Sequence, residues 1–165
     1  MNKLHITIAG AGYVGLSLAT LLARRHSVTL VDPLAHKVDM INNRISPIKD
    51  ACIDEYFKTY QLDLVATTDK LTAYKNADYV IIATPTNYDE ITKHFDTSSI
   101  ESVMDDVLMY ADYFPKAIVI KSTIPVGYTK ELREKTSIGK ILFSPEFLRE
   151  GMALEDNLYP SRIVV

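Results

Sequence analysis

Cysteine is almost missing from this chain: Cys52 is the only one, so no internal disulfide can form and a reducing compartment is implied. Long apolar runs are missing too. Leu4 to Ala9 is far too short for a signal h-region or a membrane span, and Arg24 and Arg25 follow it. There is no surplus of positive charge. The 18 Lys and Arg against 21 Asp and Glu give a net charge of −3, which points away from nucleic acid and from anionic membrane surfaces. The four histidines, His5, His26, His36 and His94, stand alone without a ligand-spaced partner, which argues against a metal site. Repeats and low-complexity segments are absent. The chain reads as soluble and cytoplasmic.

What is present is an ordinary globular mixture. With 47% hydrophobic and 24% charged residues the chain should fold, and 165 residues suit one domain with a real core.

The opening carries the most information. Leu4-His-Ile-Thr-Ile-Ala9 reads as a strand, and it runs into Gly10-Ala-Gly12-Tyr13-Val14-Gly15. An apolar helical stretch follows, then a second strand, Val28-Thr-Leu-Val-Asp32, that ends in an acid. Strand, G-x-G-x-x-G, helix, strand and acid in this order form a dinucleotide fingerprint in its structural context. Gly10 permits the tight turn, Gly12 lets backbone approach a pyrophosphate, and Gly15 lets helix and strand pack closely. The helix N-terminus offers free N–H groups to the phosphates. Asp32, 17 residues past Gly15, can accept hydrogen bonds from ribose hydroxyls and would repel a 2′-phosphate. NAD is therefore favoured over NADP, with His36 and Lys37 near enough to weaken that preference. A glycine-rich turn of another α/β fold is the alternative.

Beyond this unit the pattern predicts helices over 35–43 and 50–60 and a strand over 64–68. A short helix over 69–75 follows, with Thr68 or Asp69 as N-cap, and an apolar strand over 79–84 ended by Pro85. A polar loop is predicted over 86–97, a helix over 98–113, a strand over 117–122, a charged helix over 129–135 and a strand over 140–144. A short helical turn over 149–156 and a last strand over 162–165 complete the reading. The alternation implies an α/β fold, Rossmann-like and doubly wound, with a mostly parallel sheet and helices on both faces. Ligands of such sheets bind beyond the carboxyl ends of the strands.

Each motif of interest falls at such an end. Thr84-Pro85-Thr86-Asn87 offers hydroxyls and an amide where a cofactor would cross the sheet, or else it is a plain strand-terminating turn. In Lys121-Ser-Thr-Ile-Pro-Val-Gly127, Thr123 can face a nicotinamide or a reacting hydroxyl, or Ser122 or Thr123 can simply cap a helix. Glu146 and Glu150, four apart in Ser144-Pro-Glu-Phe-Leu-Arg-Glu-Gly151, would share one side of a helical turn. There they can act as general base and orienter of water, or form a solvated face. Cys52, between acids that would raise its thiol pKa and without a glycine turn, reads as a small packed residue rather than a nucleophile.

Taken together, Gly10–Leu16, Ala83–Thr86, Lys121–Gly127 and Ser144–Gly151 resemble the N-terminal domain of the nucleotide-sugar dehydrogenases. The ending Asp156-Asn-Leu-Tyr-Pro-Ser-Arg-Ile-Val164 looks most like the bacterial UDP-glucose 6-dehydrogenases. The resemblance spans the whole chain. It implies oxidation of UDP-glucose at C6 by two NAD in turn, with capture of the aldehyde-level intermediate by a cysteine and release of UDP-glucuronate by water. Residue by residue, it puts Gly10, Gly12, Tyr13, Val14, Gly15, Asp32, Lys37, Thr84, Pro85 and Thr86 against NAD. It puts Thr123 at the junction of cofactor and substrate and Glu150 against both. Glu146, Phe147, Leu148, Arg149 and Glu150 would hold the sugar nucleotide, and Thr123, Glu146 and Glu150 would take part in the chemistry. GDP-mannose or UDP-N-acetylmannosamine as substrate, or a non-catalytic NAD-binding module, are the alternatives. The family's cysteine, lysine and asparagine lie downstream of Val165. Residues 1–165 are therefore expected to form one truncated NAD-binding domain, inactive by itself, from a protein that is a homodimer when complete. The predicted terminal strand, without a tail, reads as an artificial end.

Overall fold

The computed structural model describes residues 2–90 and 94–165. Six parallel strands form one sheet: β1 (His5–Ala9), β2 (Ser27–Val31), β3 (Leu64–Thr67), β4 (Tyr79–Ile82), β7 (Ala117–Ile120) and β8 (Ile141–Phe143), in the order β3-β2-β1-β4-β7-β8. β5 (Asn87–Asp89) and β6 (His94–Asp96) form a separate antiparallel pair. The strand order reverses between β1 and β4, which makes the gap above that pair the topological switch point.

Alternation along the strands divides the core in two. Ile6, Ile8, Val28 and Leu30 face helices α1 (Tyr13–Leu22), α2 (Ala35–Asn42), α3 (Ala51–Thr59) and α7 (Ala153–Leu158). Val80, Ile82, Ile118 and Ile120 face α4 (Lys70–Tyr74), α5 (Ser98–Tyr110) and α6 (Tyr128–Thr136). Helices on both faces explain why β4 and β7 read as continuous apolar runs. Ile8, Leu30, Ile82 and Ile118 are wholly buried, each contributing about 1.5–3 kcal/mol relative to exposure. Among the described residues no helix is long and apolar enough to cross a membrane.

Four expectations need correction. The 86–97 segment contains the β5–β6 hairpin rather than only loop. Tyr88 and Phe95 face each other across it at 5.0 Å between ring centroids, and such a cross-strand aromatic pair stabilises a ribbon whose other residues are polar. The helix predicted to Tyr113 stops at Tyr110, because the Asp112 N–H turns away to the Lys75 carbonyl at 2.9 Å. The turn predicted over 149–156 is a loop as far as Met152, with helix only from Ala153. Its cause is local: the Arg149 N–H and guanidinium both bind the Asp156 carboxylate, at 2.6–3.1 Å, and Gly151 takes a left-handed turn at φ +81°. Arg162–Val165 forms no strand; it is exposed and has no ladder partner among the described residues.

One buried carboxylate ties α3 to α7. Asp50, 2% exposed, caps α3 by accepting from the Cys52 and Ile53 N–H groups, and its second oxygen accepts from the Leu154 N–H at the start of α7. Asp50→Ala would strip three amides of their acceptor. Loss of the cap costs about 0.5–2 kcal/mol, and a buried orphan N–H a further 1–3 kcal/mol or so. Urea unfolding should therefore report a loss on the order of 3 kcal/mol for Asp50→Ala and less for Asp50→Asn, which keeps an acceptor.

Candidate active site at the carboxyl edge of the sheet

The turn after β1 is built by steric necessity. Gly10 has φ +102°, and a Cβ there would lie 2.6 Å from the Ala83 carbonyl oxygen. A Cβ on Gly15 would lie 1.8 Å from the Gly10 carbonyl oxygen. The end of β1, the first turn of α1 and the end of β4 thus meet backbone to backbone. Gly12 differs: a Cβ there meets nothing within 4 Å. Its emptiness is on the outside, before the N-terminus of α1, whose first turn holds no acid and whose N-cap has no side-chain hydrogen bond. The first-turn amides of a helix lack intrahelical acceptors, so this cradle suits an anion. Tyr13 and Val14, half-buried, flank it.

Asp32 stands directly after β2 and is 6% exposed. One carboxylate oxygen accepts from the Ala11 N–H at 2.8 Å and the other from the Leu34 N–H at 3.0 Å. Each oxygen keeps a lone pair free. Asp32 therefore holds the glycine turn in place and can still receive a ribose hydroxyl. Lys37 is half-buried on α2. A cradle that a side chain at position 12 would fill, beside a fixed carboxylate with spare acceptor capacity, fits a dinucleotide.

Across the switch point the β4 end is pinned from two sides. Ser99 Oγ donates to the Pro85 carbonyl at 2.8 Å and lies 3.0 Å from Thr84 Oγ1. Ser122 Oγ donates to the Thr84 carbonyl at 2.6 Å. Thr86 is half-buried and Pro85 exposed. Thr123 is exposed on the loop after β7. Neither Ser122 nor Thr123 caps α6; its N-cap is Gly127 at φ +90°, without a side-chain bond. The capping alternative for these hydroxyls is thus removed.

The two glutamates do not share a helical turn, since 144–149 is extended loop. Glu146 is held instead by Lys121: Nζ lies 3.0 Å from Glu146 Oε2 and donates to Ser144 Oγ at 3.3 Å. Glu150 and Phe147 are exposed and Leu148 is half-buried. Arg162 stacks over the Phe147 ring at 4.2 Å from its centroid. Arg149 is engaged by Asp156, whose carboxyl those hydrogen bonds pull down to about 2, so the clasp stays ionised at neutral pH. Lys121 and Ser99 received no role from sequence, and Ser122 only the alternative of a helix cap. The one available signal was a lone cation at the end of the apolar run Ala117–Ile120. Cys52, half-buried on α3, has its thiol pKa pushed up by burial first and then by Asp50, Glu155 and Glu55, the reverse of nucleophile activation.

This edge is open. Two hollows among the described residues lie elsewhere. One, of about 530 Å³, is bounded by Lys3, Arg24, Gln61 and Asp63 at the amino ends of the strands. The other, of about 370 Å³, is bounded by His5, Thr29, Asn76 and Tyr113. Glycine turn, acid and switch point, not cavity size, locate the site.

Fold and site define a Rossmann-type dinucleotide-binding domain. The chain belongs to the UDP-glucose/GDP-mannose dehydrogenase family, whose NAD binding domain matches residues 4–165. It is 57% identical over 162 residues to the UDP-glucose 6-dehydrogenase of Streptococcus pneumoniae, and 47% identical over 164 residues to that of Campylobacter jejuni. Each match covers 98% of this chain and 41% of the relative, so the chain spans about two fifths of the length of these curated relatives. Among solved structures, a ternary complex of GDP-mannose dehydrogenase from Pseudomonas aeruginosa superposes with a TM-score of 0.82 at 29% identity, covering 96% of this chain and 39% of that one. A UDP-glucose dehydrogenase from Pyrobaculum islandicum gives 0.82 at 25% identity, covering 98% and 40%. The cofactor of the domain is NAD.

The glycines separate binding from folding. Gly12→Val should abolish NAD binding in calorimetry while the circular dichroism and unfolding midpoint stay near those of the parent, because a Cβ there meets nothing within 4 Å and enters only the open space before α1. Gly15→Ala should fail to fold. Undiminished NAD titration of the Gly12 variant would mean that the cofactor sits elsewhere.

Proposed function

We propose that this chain is the NAD-binding portion of a UDP-glucose 6-dehydrogenase, and that the complete protein oxidises UDP-glucose to UDP-glucuronate with two NAD. The carrying observation is the 57% identity to a UDP-glucose 6-dehydrogenase over 98% of the chain, against 29% to a GDP-mannose dehydrogenase of similar fold. Two hydride equivalents leave C6, and water supplies the second carboxylate oxygen. Bound NAD would supply the hydride acceptor.

The residues divide the work as follows. Gly12, with Tyr13 and Val14 beside it, receives the pyrophosphate at the N-terminus of α1. Asp32 receives the ribose hydroxyls, with Lys37 close by. Thr84, Pro85 and Thr86 border the cofactor where it crosses the sheet. Thr123 orients the reacting end, and the 146–150 segment holds the sugar nucleotide while Glu146 and Glu150 assist proton transfer and water. The covalent capture implied by the family resemblance needs a thiolate, which burial and the neighbouring acids disfavour at Cys52. The complete protein is proposed to act as a homodimer on the same resemblance.

Asp32 should make the isolated chain prefer NAD. Calorimetry should detect NAD and little or no NADP binding, and equal or tighter NADP binding would remove Asp32 from its assigned place.

The function itself is tested by following NADH absorbance with UDP-glucose, GDP-mannose and UDP-N-acetylmannosamine. The complete protein should turn over UDP-glucose fastest. The 165-residue chain alone should form no NADH, because it neither captures the intermediate nor closes the site, and held near-attack geometry is worth roughly 7–11 kcal/mol. A preference for another sugar nucleotide would replace the substrate assignment. Steady NADH formation by the short chain would overturn the division of labour.

A further inference from the structure

We infer that Lys121 is a positioning residue that fixes the carboxylate of Glu146 for the reaction at the carboxyl edge of the sheet. The inference rests on the function proposed above and adds to it a residue with no role so far. Lys121 is the first residue past β7, and its own N–H is bound to the Ile82 carbonyl at 2.8 Å. Its backbone is therefore tied to the central strand that leads into Thr84 and Pro85. Its side chain reaches the other way, to the loop after β8. There Nζ meets Glu146 Oε2 at 3.0 Å and Ser144 Oγ at 3.3 Å. Ser144 is anchored in turn by its N–H to the Ile120 carbonyl at 2.9 Å. The other carboxylate oxygen, Glu146 Oε1, accepts from the Phe147 N–H at 3.0 Å. Both oxygens thus have one fixed donor each, and the carboxylate is held against rotation.

The pair differs from every other ion pair among the described residues. Its side chains are 12% and 19% exposed, whereas in each of the others the cation is at least 49% exposed. Stability is a poor explanation for it. Withdrawing an ammonium and a carboxylate from water is unfavourable, and an apolar pair of similar volume often does as well or better. An orienting role accounts for the chemistry chosen. An ammonium is a compact point charge that engages one oxygen without the two-pronged grip of a guanidinium. Each oxygen of Glu146 consequently keeps a lone pair for a sugar hydroxyl or a water. Thr123, two residues along the same loop, is exposed at the same strand end. One short stretch, 121–123, therefore sets the carboxylate through Lys121, the β4 loop through Ser122 and an open hydroxyl through Thr123.

The test is a mutant cycle in the complete protein, using Lys121→Met, Lys121→Arg, Glu146→Gln and the Lys121→Met/Glu146→Gln double variant. With UDP-glucose and NAD, Lys121→Met should lower kcat about 100-fold, the scale expected for a misplaced reacting group. The KM for NAD should change by less than about threefold, because the cofactor cradle is untouched. Lys121→Arg keeps the charge but its fork occupies both oxygens of Glu146, so it should recover only a minor part of the rate. In the Glu146→Gln background, Lys121→Met should change kcat by less than about twofold, since the group it positions is gone. Should Lys121→Met not fold, Lys121→Gln, a donor without charge, takes its place in the same cycle. Equal losses in both backgrounds, or an unchanged kcat, would reduce Lys121 to a structural tie and overturn the inference while leaving the proposed function standing. A parent protein that oxidises none of the three sugar nucleotides would overturn the proposed function, and this inference with it.

Discussion

The Gly10 carbonyl oxygen lies where a side chain at position 15 would begin, and the Ala83 carbonyl oxygen lies where one at position 10 would begin. Through these two contacts β1, α1 and β4 approach as closely as backbones can. The rest of the site inherits its geometry from that approach. It places the N-terminus of α1 beside the β1–β4 switch point and brings the β4 end against the glycine turn. Substituting either glycine would push the helix off the sheet, and the loss would spread into the apolar layer under α1, where Leu16 and Ala19 are wholly buried. Close packing leaves little slack to absorb such a shift.

Asp32 is the second constraint, and it couples folding to binding. Its carboxylate accepts from the Ala11 N–H inside the glycine turn, so the acid that would receive a ribose also holds the loop that would receive the phosphates. A buried carboxylate with only one donor per oxygen is under-satisfied, and a ligand with hydroxyl donors completes it. The domain should accordingly be stiffest around this turn when the cofactor is bound.

The turn and its acid were legible in the sequence because their constraints are local. A glycine demanded by sterics and an acid at a strand end keep their meaning whatever surrounds them. The same holds for the core, where the apolar strand runs over 79–84 and 117–122 mark the buried strands β4 and β7. The errors share a different cause. Glu146 and Glu150 have helical spacing, but the Arg149–Asp156 clasp keeps the chain in a loop, and nothing in spacing reveals a clasp between residues seven apart. The β5–β6 hairpin is carried by one aromatic pair in polar company. Lys121 acquires its meaning only when β8 is laid beside β7, which is a fact of topology. Asp50, similarly, looks like an ordinary helix cap until α7 arrives from 104 residues away.

The carboxyl edge is firm in its backbone and open in its shape. Serine hydroxyls and the Lys121 ammonium tie the ends of β4, β7 and β8 to one another, so the strand-end loops are rigid where a ligand would rest. Yet Thr123, Phe147 and Glu150 remain exposed, and the two hollows described above lie elsewhere. Electrostatic and proton-transfer effects are strong only where water is kept out. A surface of this kind suits recognition of a cofactor by itself: on the proposed reading, phosphates and ribose would meet fixed amides and a fixed acid. For oxidation at the same edge, the exposed side must be covered while the reaction proceeds. That is the physical reason why the proposed function gives these residues the recognition of NAD and leaves the chemistry to a site that is covered.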